Sequence, residues 1–186
     1  MAPEVSTLPA EIEEVLLRVV RLLRSVGVAY QVGGSALLRL SGLDVPVNDL
    51  DIAVAAADRE DSLRALVGWQ LDSPPSHEPW RTDWLLRATP LDGESTASVD
   101  IMGGLALVID GGVADFPMAV GKTVDIGGIE VELARLAHWY HLYRVHNPAK
   151  AALAASLLSD DEILAAADDL QIADTFSPTL IVRIRE

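Results

Sequence analysis

Two aspartates, Asp49 and Asp51, stand two positions apart in a mostly apolar run, residues 47–54 (VNDLDIAV). Residues at that spacing in a β-strand point to the same face, so the two carboxylates are expected side by side, about 7 Å apart at Cα. Neighbouring carboxylates repel each other, and a hard divalent cation is well suited to neutralise them. The pair therefore predicts a metal site, although a solvated edge strand, a helix cap or a turn would use the same residues.

The segment Gly33-Gly34-Ser35 lies between two apolar runs and precedes the aspartate pair. Glycines at such a position let backbone N–H groups approach an anion at the positive end of a helix, and Ser35 is expected to cap that helix. A phosphate held there could share its oxygens with a metal held by the aspartates, as in phosphoryl and nucleotidyl transfer. Taken alone, the segment fits a tight strand-to-helix turn equally well.

The order of these pieces resembles the signature of the polymerase-beta-like nucleotidyltransferase superfamily. That signature is Gly-[Gly/Ser], a short helix, and then Asp-x-[Asp/Glu] flanked by apolar residues, which matches Gly34-Ser35 followed by Asp49-Leu50-Asp51-Ile52. The superfamily also has a third carboxylate on a later strand, and Asp100 in the run Ser98-Val99-Asp100-Ile101-Met102 matches it. The joint pattern favours a nucleotidyltransferase-type site far more than any one piece does.

The resemblance implies a fold and a domain organisation. The expected fold class is α+β (α/β), a nucleotidyltransferase-type mixed β-sheet flanked by helices, with a C-terminal helical segment. Residues 1–133 would form the catalytic domain, and residues 134–186 would form the helical segment packed on it.

The resemblance also implies roles for single residues. Mg²⁺ or Mn²⁺ would be held by the three carboxylates, Asp49, Asp51 and Asp100. The triphosphate, expected to be that of ATP, would contact Gly33, Gly34 and Ser35. Arg39 follows Ser35 by one helical turn and is expected near the same phosphates. Asp100 would also assist deprotonation of an acceptor hydroxyl, so that AMP is transferred and pyrophosphate leaves.

The acceptor is left open by the sequence. Within the superfamily, the chain looks most like small stand-alone bacterial nucleotidyltransferases. These include antibiotic adenylyltransferases and the toxins of toxin–antitoxin pairs, for which tRNA or protein would be the acceptor. A third hypothesis is a catalytically idle nucleotide-binding or interaction module, against which the retained carboxylates argue. The preferred base and the oligomeric state are also open, and a homo-oligomer is compatible with the sequence.

Composition narrows the classes of partner. The formal net charge is −14, from 28 acidic and 14 basic residues, which disfavours DNA and tRNA and would attract a cationic small molecule or a basic protein surface.

The absence of cysteine excludes disulfides and thiolate metal sites and fits a cytoplasmic protein. The length, 186 residues, suits one domain or one with a small helical appendage. No apolar run is long enough to span a membrane, and the acidic N-terminus lacks the pattern of a signal peptide.

Hydrophobic periodicity and turn residues predict the elements that must position these side chains. Helices are expected over residues 8–26, capped by Thr7, over 35–41, and over 58–68 with Leu63, Leu66 and Val67 inward. Strands are expected over 28–32, 47–54, 80–89, 97–102 and 105–109, and a hairpin joins 123–126 to 129–133 across Gly127-Gly128. Helices follow over 134–145, 148–158 and 160–170, and residues 180–186 fit a strand or a helical turn.

Three other groups of residues partly match known types of functional site. Gly121-Lys122-Thr123 ends like a phosphate-binding loop but lacks the earlier glycine of that motif. His138, His141 and His146 cluster on one predicted helix without the His-Glu-x-x-His pattern of zinc enzymes. With Trp139, Tyr140 and Tyr143 interleaved, this helix could line an acceptor or base pocket, but a half-buried helix face is favoured. Arg144 and Lys150 flank the junction of two late helices, where several superfamily members carry basic residues, and their role is open between the site and surface ion pairs.

Overall fold

The structure is a computed structural model that describes residues 7–76, 79–91, 93, 95–109 and 112–172. Its helices are α1 Ala10–Ser25, α2 Gly34–Leu40, α3 Arg59–Ala65, α4 Leu136–His146, α5 Pro148–Ala155 and α6 Asp160–Asp169. Its strands are β1 Tyr30–Val32, β2 Leu50–Val54, β3 Trp69–Asp72, β4 Trp80–Arg81, β5 Trp84–Pro90, β6 Val99–Gly103, β7 Ala106–Ile109, β8 Gly112–Asp115, β9 Val120–Ile126 and β10 Ile129–Ala134.

A mixed β-sheet forms the centre of the described chain. Its strand order is β3-β5-β6-β2-β1-β10-β9, and a smaller sheet has the order β4-β7-β8. The neighbours β2 and β6 run parallel, as do β1 and β10, whereas the other pairs in the large sheet are antiparallel. Helices flank this sheet, and three of them follow the last strand. The predicted fold class is therefore confirmed.

The central strands β2 and β6 are apolar except at the positions that carry the aspartates. Leu50 and Ile52 of β2 and Val99 and Ile101 of β6 have no solvent-exposed surface. These residues alternate with the aspartates, as the two-residue period of a strand requires. Burial of the apolar side therefore fixes which way the acidic side chains point.

Helix α1 packs on the core through residues at helical spacing, namely Ile12, Val15, Leu16, Val19, Val20 and Leu23. The helix was predicted correctly, but its cap was not. Pro9 occupies the N-cap position, and no side chain caps the helix by hydrogen bonding, so Thr7 does not cap it. Proline is favourable close to this end because its fixed φ suits a helix start.

Other boundaries differ from the sequence prediction near the glycine turn. Helix α2 starts one residue earlier, with Gly33 as its N-cap, so Ser35 lies inside the helix and does not cap it. The strand predicted over 47–54 is regular only from Leu50, which leaves Asp49 in the bend just before it. The physical reason is that β2 begins where its partner β6 begins, with Leu50 opposite Val99.

Three further parts of the chain differ from the sequence prediction. The run 80–89 contains two strands of different sheets, β4 and β5, because the chain bends between Arg81 and Trp84. Strand β3 was not predicted. Leu66 is buried as expected, but Val67 is 82% exposed because α3 ends at Ala65 and the chain turns away there.

The hairpin β9–β10 and the three late helices confirm the predictions for this part of the chain. The side chain of Asn147 caps α5 with Pro148 at the first helical position, and Ser159 and Glu162 form a capping box at α6. The prediction for residues 180–186 lies outside the described residues. Across the described ranges, no helix combines the length and the apolar character that crossing a membrane demands.

Candidate functional site

A cavity of about 270 Å³ lies between the ends of β2 and β6, the turn before α2, and helix α4. Its acidic lining is Asp49, Asp51 and Asp100, and Gly34 borders them. A larger cavity of about 580 Å³ lies near the starts of β9 and α4 and includes none of these residues. We place the candidate site in the smaller cavity because the predicted acidic groups converge there.

Asp51 and Asp100 are held together by strand pairing. They lie directly opposite each other on the adjacent parallel strands β2 and β6. Asp49 precedes β2 and is exposed, yet it lines the same cavity. The three predicted carboxylates therefore come together even though Asp49 lies outside the regular strand.

The glycine turn abuts Asp51 so closely that a side chain would not fit. Gly34 has φ +58°, and a Cβ added to it would lie 1.8 Å from Oδ2 of Asp51. The neighbouring Gly33 donates its N–H to the backbone oxygen of Asp51 over 2.8 Å. A Cβ on Gly33 would lie 1.8 Å from the ring of Trp139. Both glycines are thus required by close packing around the carboxylates.

Burial, together with the neighbouring carboxylates, raises the pKa of Asp51 to about 7. Burial is the largest cause, followed by the negative charges of Asp49 and Asp100, while Lys150 and Arg87 act in the opposite direction. A carboxyl with this pKa binds either a proton or an added cation near neutral pH. This is the electrostatic condition that a divalent ion would relieve.

Asp100 is engaged by a guanidinium. Arg87 lies opposite Asp100 on the antiparallel strand β5, and its Nε and one terminal nitrogen donate to the two carboxylate oxygens over 2.8 and 2.7 Å. The Asp100 side chain is 14% exposed, and that of Arg87 is 48% exposed. Hydrogen bonding and the charge of Asp100 raise the pKa of Arg87 above its usual value. This two-pronged contact is the strongest geometry open to such a pair.

The cation at the glycine turn is Lys150. Its Nζ donates to the Ser35 hydroxyl over 2.7 Å and lies 5.8 Å from the centre of the Tyr143 ring. The sequence placed Arg39 near this point, but Arg39 binds the Asp44 carboxylate and donates to the Thr7 carbonyl, and it is not among the residues lining the cavity. The expected phosphate contact of Arg39 is thus not supported by its position, whereas Lys150 occupies the cavity.

Helix α4 supplies an aromatic wall. The hydroxyl of Tyr143 donates to the Gly34 carbonyl over 2.7 Å, and burial followed by the charge of Asp51 raises the pKa of Tyr143 well above its usual value. Trp80 and His146 also line the cavity, with their ring centres 4.6 Å apart in a T-shaped contact. Tyr143 and His146 of α4 and Trp80 of β4 thus line the same cavity as the carboxylates.

His138 and His141 face α6 instead. His138 Nε2 lies 3.2 Å from the Asp169 carboxylate, and His141 Nε2 lies 2.9 Å from the Ile163 carbonyl. Burial lowers the pKa of both rings, that of His141 to about 4. Both histidines are therefore neutral near pH 7 and join α4 to α6, but they are fully buried rather than on the half-buried helix face favoured by the sequence.

The donor set in the cavity fits a hard divalent cation, since Mg²⁺ and Mn²⁺ prefer carboxylate oxygens. Three such groups line one cavity, and burial followed by the charges of Asp49 and Asp100 raises the pKa of Asp51. Within the described ranges, however, no three His, Asp or Glu side chains stand as a ready-made metal-binding group. The hydrogen bonds from Arg87 to both Asp100 oxygens oppose such a group.

Sequence reasoning did not identify Arg87 and left Lys150 open. It named Tyr143 on a helix that could line an acceptor or base pocket, but it favoured a half-buried helix face. Arg87 does carry a signal, because it is a charged residue within the otherwise uncharged strand β5. Its partner could not be identified without the β5–β6 register. The contact between Lys150 and Ser35 joins residues 115 positions apart, which no local pattern reveals.

No protein-family model matches this chain, and none of the curated proteins matches it in sequence. Solved structures do match its fold. A candidate nucleotidyltransferase from Thermotoga maritima gives a TM-score of 0.62 at 21% identity and covers 81% of this chain and 92% of its own. The crystal structure of ANT(2″)-Ia in complex with adenylyl-2″-tobramycin gives a TM-score of 0.54 at 12% identity, and the match covers 86% of this chain and 96% of the ANT(2″)-Ia chain. The solution structure of the antibiotic-resistance factor ANT(2″)-Ia gives a TM-score of 0.54 at 11% identity, and the match covers 94% of this chain and 97% of the ANT(2″)-Ia chain.

These similarities show that the chain shares its fold with these solved structures, which agrees with the fold expected from the sequence. The sheet that pairs β2 with β6, and the glycine turn beside it, are the parts of this fold that carry the candidate site.

Proposed function

We propose that this chain is a divalent-metal-dependent nucleotidyltransferase that transfers AMP from ATP to a hydroxyl of a small cationic acceptor. The observation that carries the proposal is the convergence of Asp49, Asp51 and Asp100 on one cavity beside Gly34. Carboxylates from two adjacent strands, together with a turn lacking side chains, are what binding of a metal triphosphate requires.

The metal ligands would be the three aspartates. Mg²⁺ or Mn²⁺, when bound, would offset their mutual repulsion and the charge of the triphosphate. Asp51 lies at the centre of the group because it contacts the glycine turn and interacts electrostatically with both Asp49 and Asp100.

The triphosphate would lie at the glycine turn. The absence of a side chain on Gly34 lets the turn touch the Asp51 carboxylate, so a phosphate bound at the turn would lie beside the proposed metal ligands, and Gly33 keeps the Trp139 ring against the same turn. Ser35 and Lys150 would contact the phosphates together, because the Lys150 ammonium already donates to the Ser35 hydroxyl. A lysine suits this role as a mobile positive charge with three donors.

The reaction would be an in-line displacement at the α-phosphorus. The acceptor hydroxyl oxygen forms a bond to that phosphorus, and the bond from phosphorus to the pyrophosphate oxygen breaks. Asp100 would take the hydroxyl proton, which then passes to solvent. The products are the adenylylated acceptor and pyrophosphate.

The choice of a cationic small molecule as acceptor rests on charge and on one structural relative. The chain carries a formal net charge of −14, which attracts cations. Trp80, Tyr143 and His146 line the cavity and provide ring faces on which a cationic or sugar-like acceptor can pack. ANT(2″)-Ia, which shares the fold, was solved with adenylyl-2″-tobramycin.

The test is an assay with radiolabelled ATP, GTP, CTP and UTP, Mg²⁺ or Mn²⁺, and a panel of aminoglycosides and lincosamides. We expect label from ATP on one class of acceptor, with release of pyrophosphate, and loss of at least about a hundredfold in rate for Asp51→Asn. Transfer to tRNA or to a protein instead would reject the small-molecule acceptor. Nucleotide binding without transfer to any acceptor would reject the enzymatic proposal.

A further inference from the structure

The contact between Arg87 and Asp100 links the candidate metal site to a strand outside it. Arg87 belongs to β5, whereas the carboxylates come from the segment before β2, from β2 and from β6. Both oxygens of Asp100 accept hydrogen bonds from Arg87, at 2.8 and 2.7 Å. Each oxygen of Asp100 is thus already hydrogen-bonded to a positively charged group.

A purely structural cross-strand ion pair is the simplest alternative. Exposed pairs of this type contribute little to stability. This pair differs because Asp100 is only 14% exposed and Arg87 lines the cavity. Asp49 and Asp51 also raise the pKa of Arg87, so its charge acts on all three carboxylates. The position of Arg87 is therefore that of an internal counter-ion for the acidic cluster.

We propose that Arg87 is a positioning residue that competes with the divalent cation for Asp100. It holds the carboxylate on the cavity side of β6 while the metal is absent, and its charge and its two hydrogen bonds oppose the binding of a metal to the same carboxylate. The inference rests on the proposed function for the presence of a metal. It adds that the affinity for metal is set by a residue that is not itself a ligand.

The competition has a definite sign. Replacing Arg87 by a neutral residue leaves Asp100 without its counter-ion, so the carboxylates gain more from a bound cation. The metal-free protein loses stability, and the metal-bound protein regains it. If Arg87 served only to join β5 to β6, its replacement would lower the stability of the metal-free and the metal-bound protein alike and would leave metal affinity unchanged.

The experiment measures Mn²⁺ binding by electron paramagnetic resonance without nucleotide, alongside thermal unfolding with and without Mn²⁺. The variants are Arg87→Gln, Arg87→Lys, Asp100→Asn and the double variant with Arg87→Gln. Arg64→Gln is the matched control, because it removes one positive charge from a guanidinium that pairs with Asp61 outside the cavity. Arg87→Lys keeps the charge without the planar fork, so it still reports on the contact where Arg87→Gln folds poorly.

We expect Arg87→Gln to bind Mn²⁺ about tenfold more tightly than the native protein, with Arg87→Lys in between and Arg64→Gln within about twofold of the native value. In the Asp100→Asn background, Arg87→Gln should have almost no further effect, because the two residues act through one contact. Equal or weaker Mn²⁺ binding by Arg87→Gln, additive effects of the two substitutions, or no Mn²⁺ binding by any variant would overturn the inference. If the variants showed the predicted order of Mn²⁺ affinities but the protein transferred no nucleotide, the proposed function would be rejected and the inference about Arg87 would stand.

Discussion

Gly34 and Asp51 touch across the glycine turn, since a Cβ on Gly34 would lie 1.8 Å from Oδ2 of Asp51. The turn and the acidic strand are therefore one unit, and neither can shift without the other. The Gly33 N–H bond to the Asp51 backbone oxygen fixes the same two segments from the main chain. Any ligand that binds at the turn must also contact the carboxylate.

This contact predicts a large effect for Gly34→Ala. The substitution places a side chain at φ +58°, which costs about 1 kcal/mol, and drives it into the Asp51 carboxylate. We expect a loss of about 2–4 kcal/mol in the free energy of unfolding and loss of transfer activity. Gly27→Ala is the matched control, because Gly27 has φ +79° with open space around the added Cβ. Equal losses of stability in chemical denaturation would show that backbone strain alone is responsible.

The parts of the site that a single segment encodes could be predicted from the sequence. Asp100 stands between the buried residues Val99 and Ile101, so alternation alone sets its side of the sheet. Gly33-Gly34 precedes a helix and an acidic strand in an order that resembles a known signature. These features depend on residues close together in the chain, which is why pattern and spacing are sufficient.

The positive side of the site could not be predicted in the same way. Arg39 has the right spacing from Ser35, but its guanidinium is taken up by Asp44 and the Thr7 carbonyl. Lys150 reaches Ser35 only because α5 packs against α4 and α4 against α2. Long side chains such as these find partners according to tertiary packing, and local sequence carries little information about it.

Lys150 is predicted to matter for nucleotide binding. Lys150→Gln removes the charge that donates to Ser35, so we expect the KM for ATP to rise by about tenfold and kcat to fall. The chain's second lysine, Lys122, donates to the Leu40 carbonyl outside this cavity, which makes Lys122→Gln the control. Steady-state kinetics at fixed acceptor measure both variants. A KM for ATP that changes equally in both would contradict the assignment of Lys150.

Tyr143 is predicted to hold the glycine turn against α4. Tyr143→Phe removes only the hydroxyl that donates to the Gly34 carbonyl over 2.7 Å. We expect a loss of about 1–2 kcal/mol in the free energy of unfolding, because the buried carbonyl loses its partner. Activity should also fall, whereas Tyr140→Phe on the same helix should spare activity because Tyr140 does not line the cavity. Denaturant titration and the transfer assay, run on both variants, separate the two effects.

His141 is predicted to contribute to acid sensitivity. Burial lowers its pKa to about 4 in the folded protein, against about 6.5 for an unfolded histidine. Between these values the unfolded chain binds the extra proton, so stability falls as the pH drops from about 6.5 to 4. The His141→Gln variant has no titratable group at this position. Between about pH 6.5 and 4 we therefore expect its free energy of unfolding to fall by about 2 kcal/mol less than that of the native protein. Parallel pH curves for the two proteins, measured by urea titration, would assign the acid sensitivity to other groups.

Asp51 is predicted to destabilise the metal-free protein above neutral pH. Its pKa is about 7 in the fold and near 3.8 when unfolded, so the folded form binds the extra proton between these values. Stability from this group is fully present below about pH 4 and is lost as the pH rises through 7. Asp51→Asn should therefore exceed the native protein by about 2 kcal/mol in free energy of unfolding at pH 8 and match it at pH 4.

The same measurement in Mg²⁺ tests whether a cation takes the place of that proton. Asp72→Asn, which neutralises an exposed carboxylate at the end of β3, controls for the change in net charge. With saturating Mg²⁺ at pH 8, the native protein should gain stability that Asp51→Asn does not, because only the native site keeps all three carboxylates. If Mg²⁺ stabilised both proteins equally, Asp51 would not be a ligand, and its raised pKa would reflect burial beside two like charges alone.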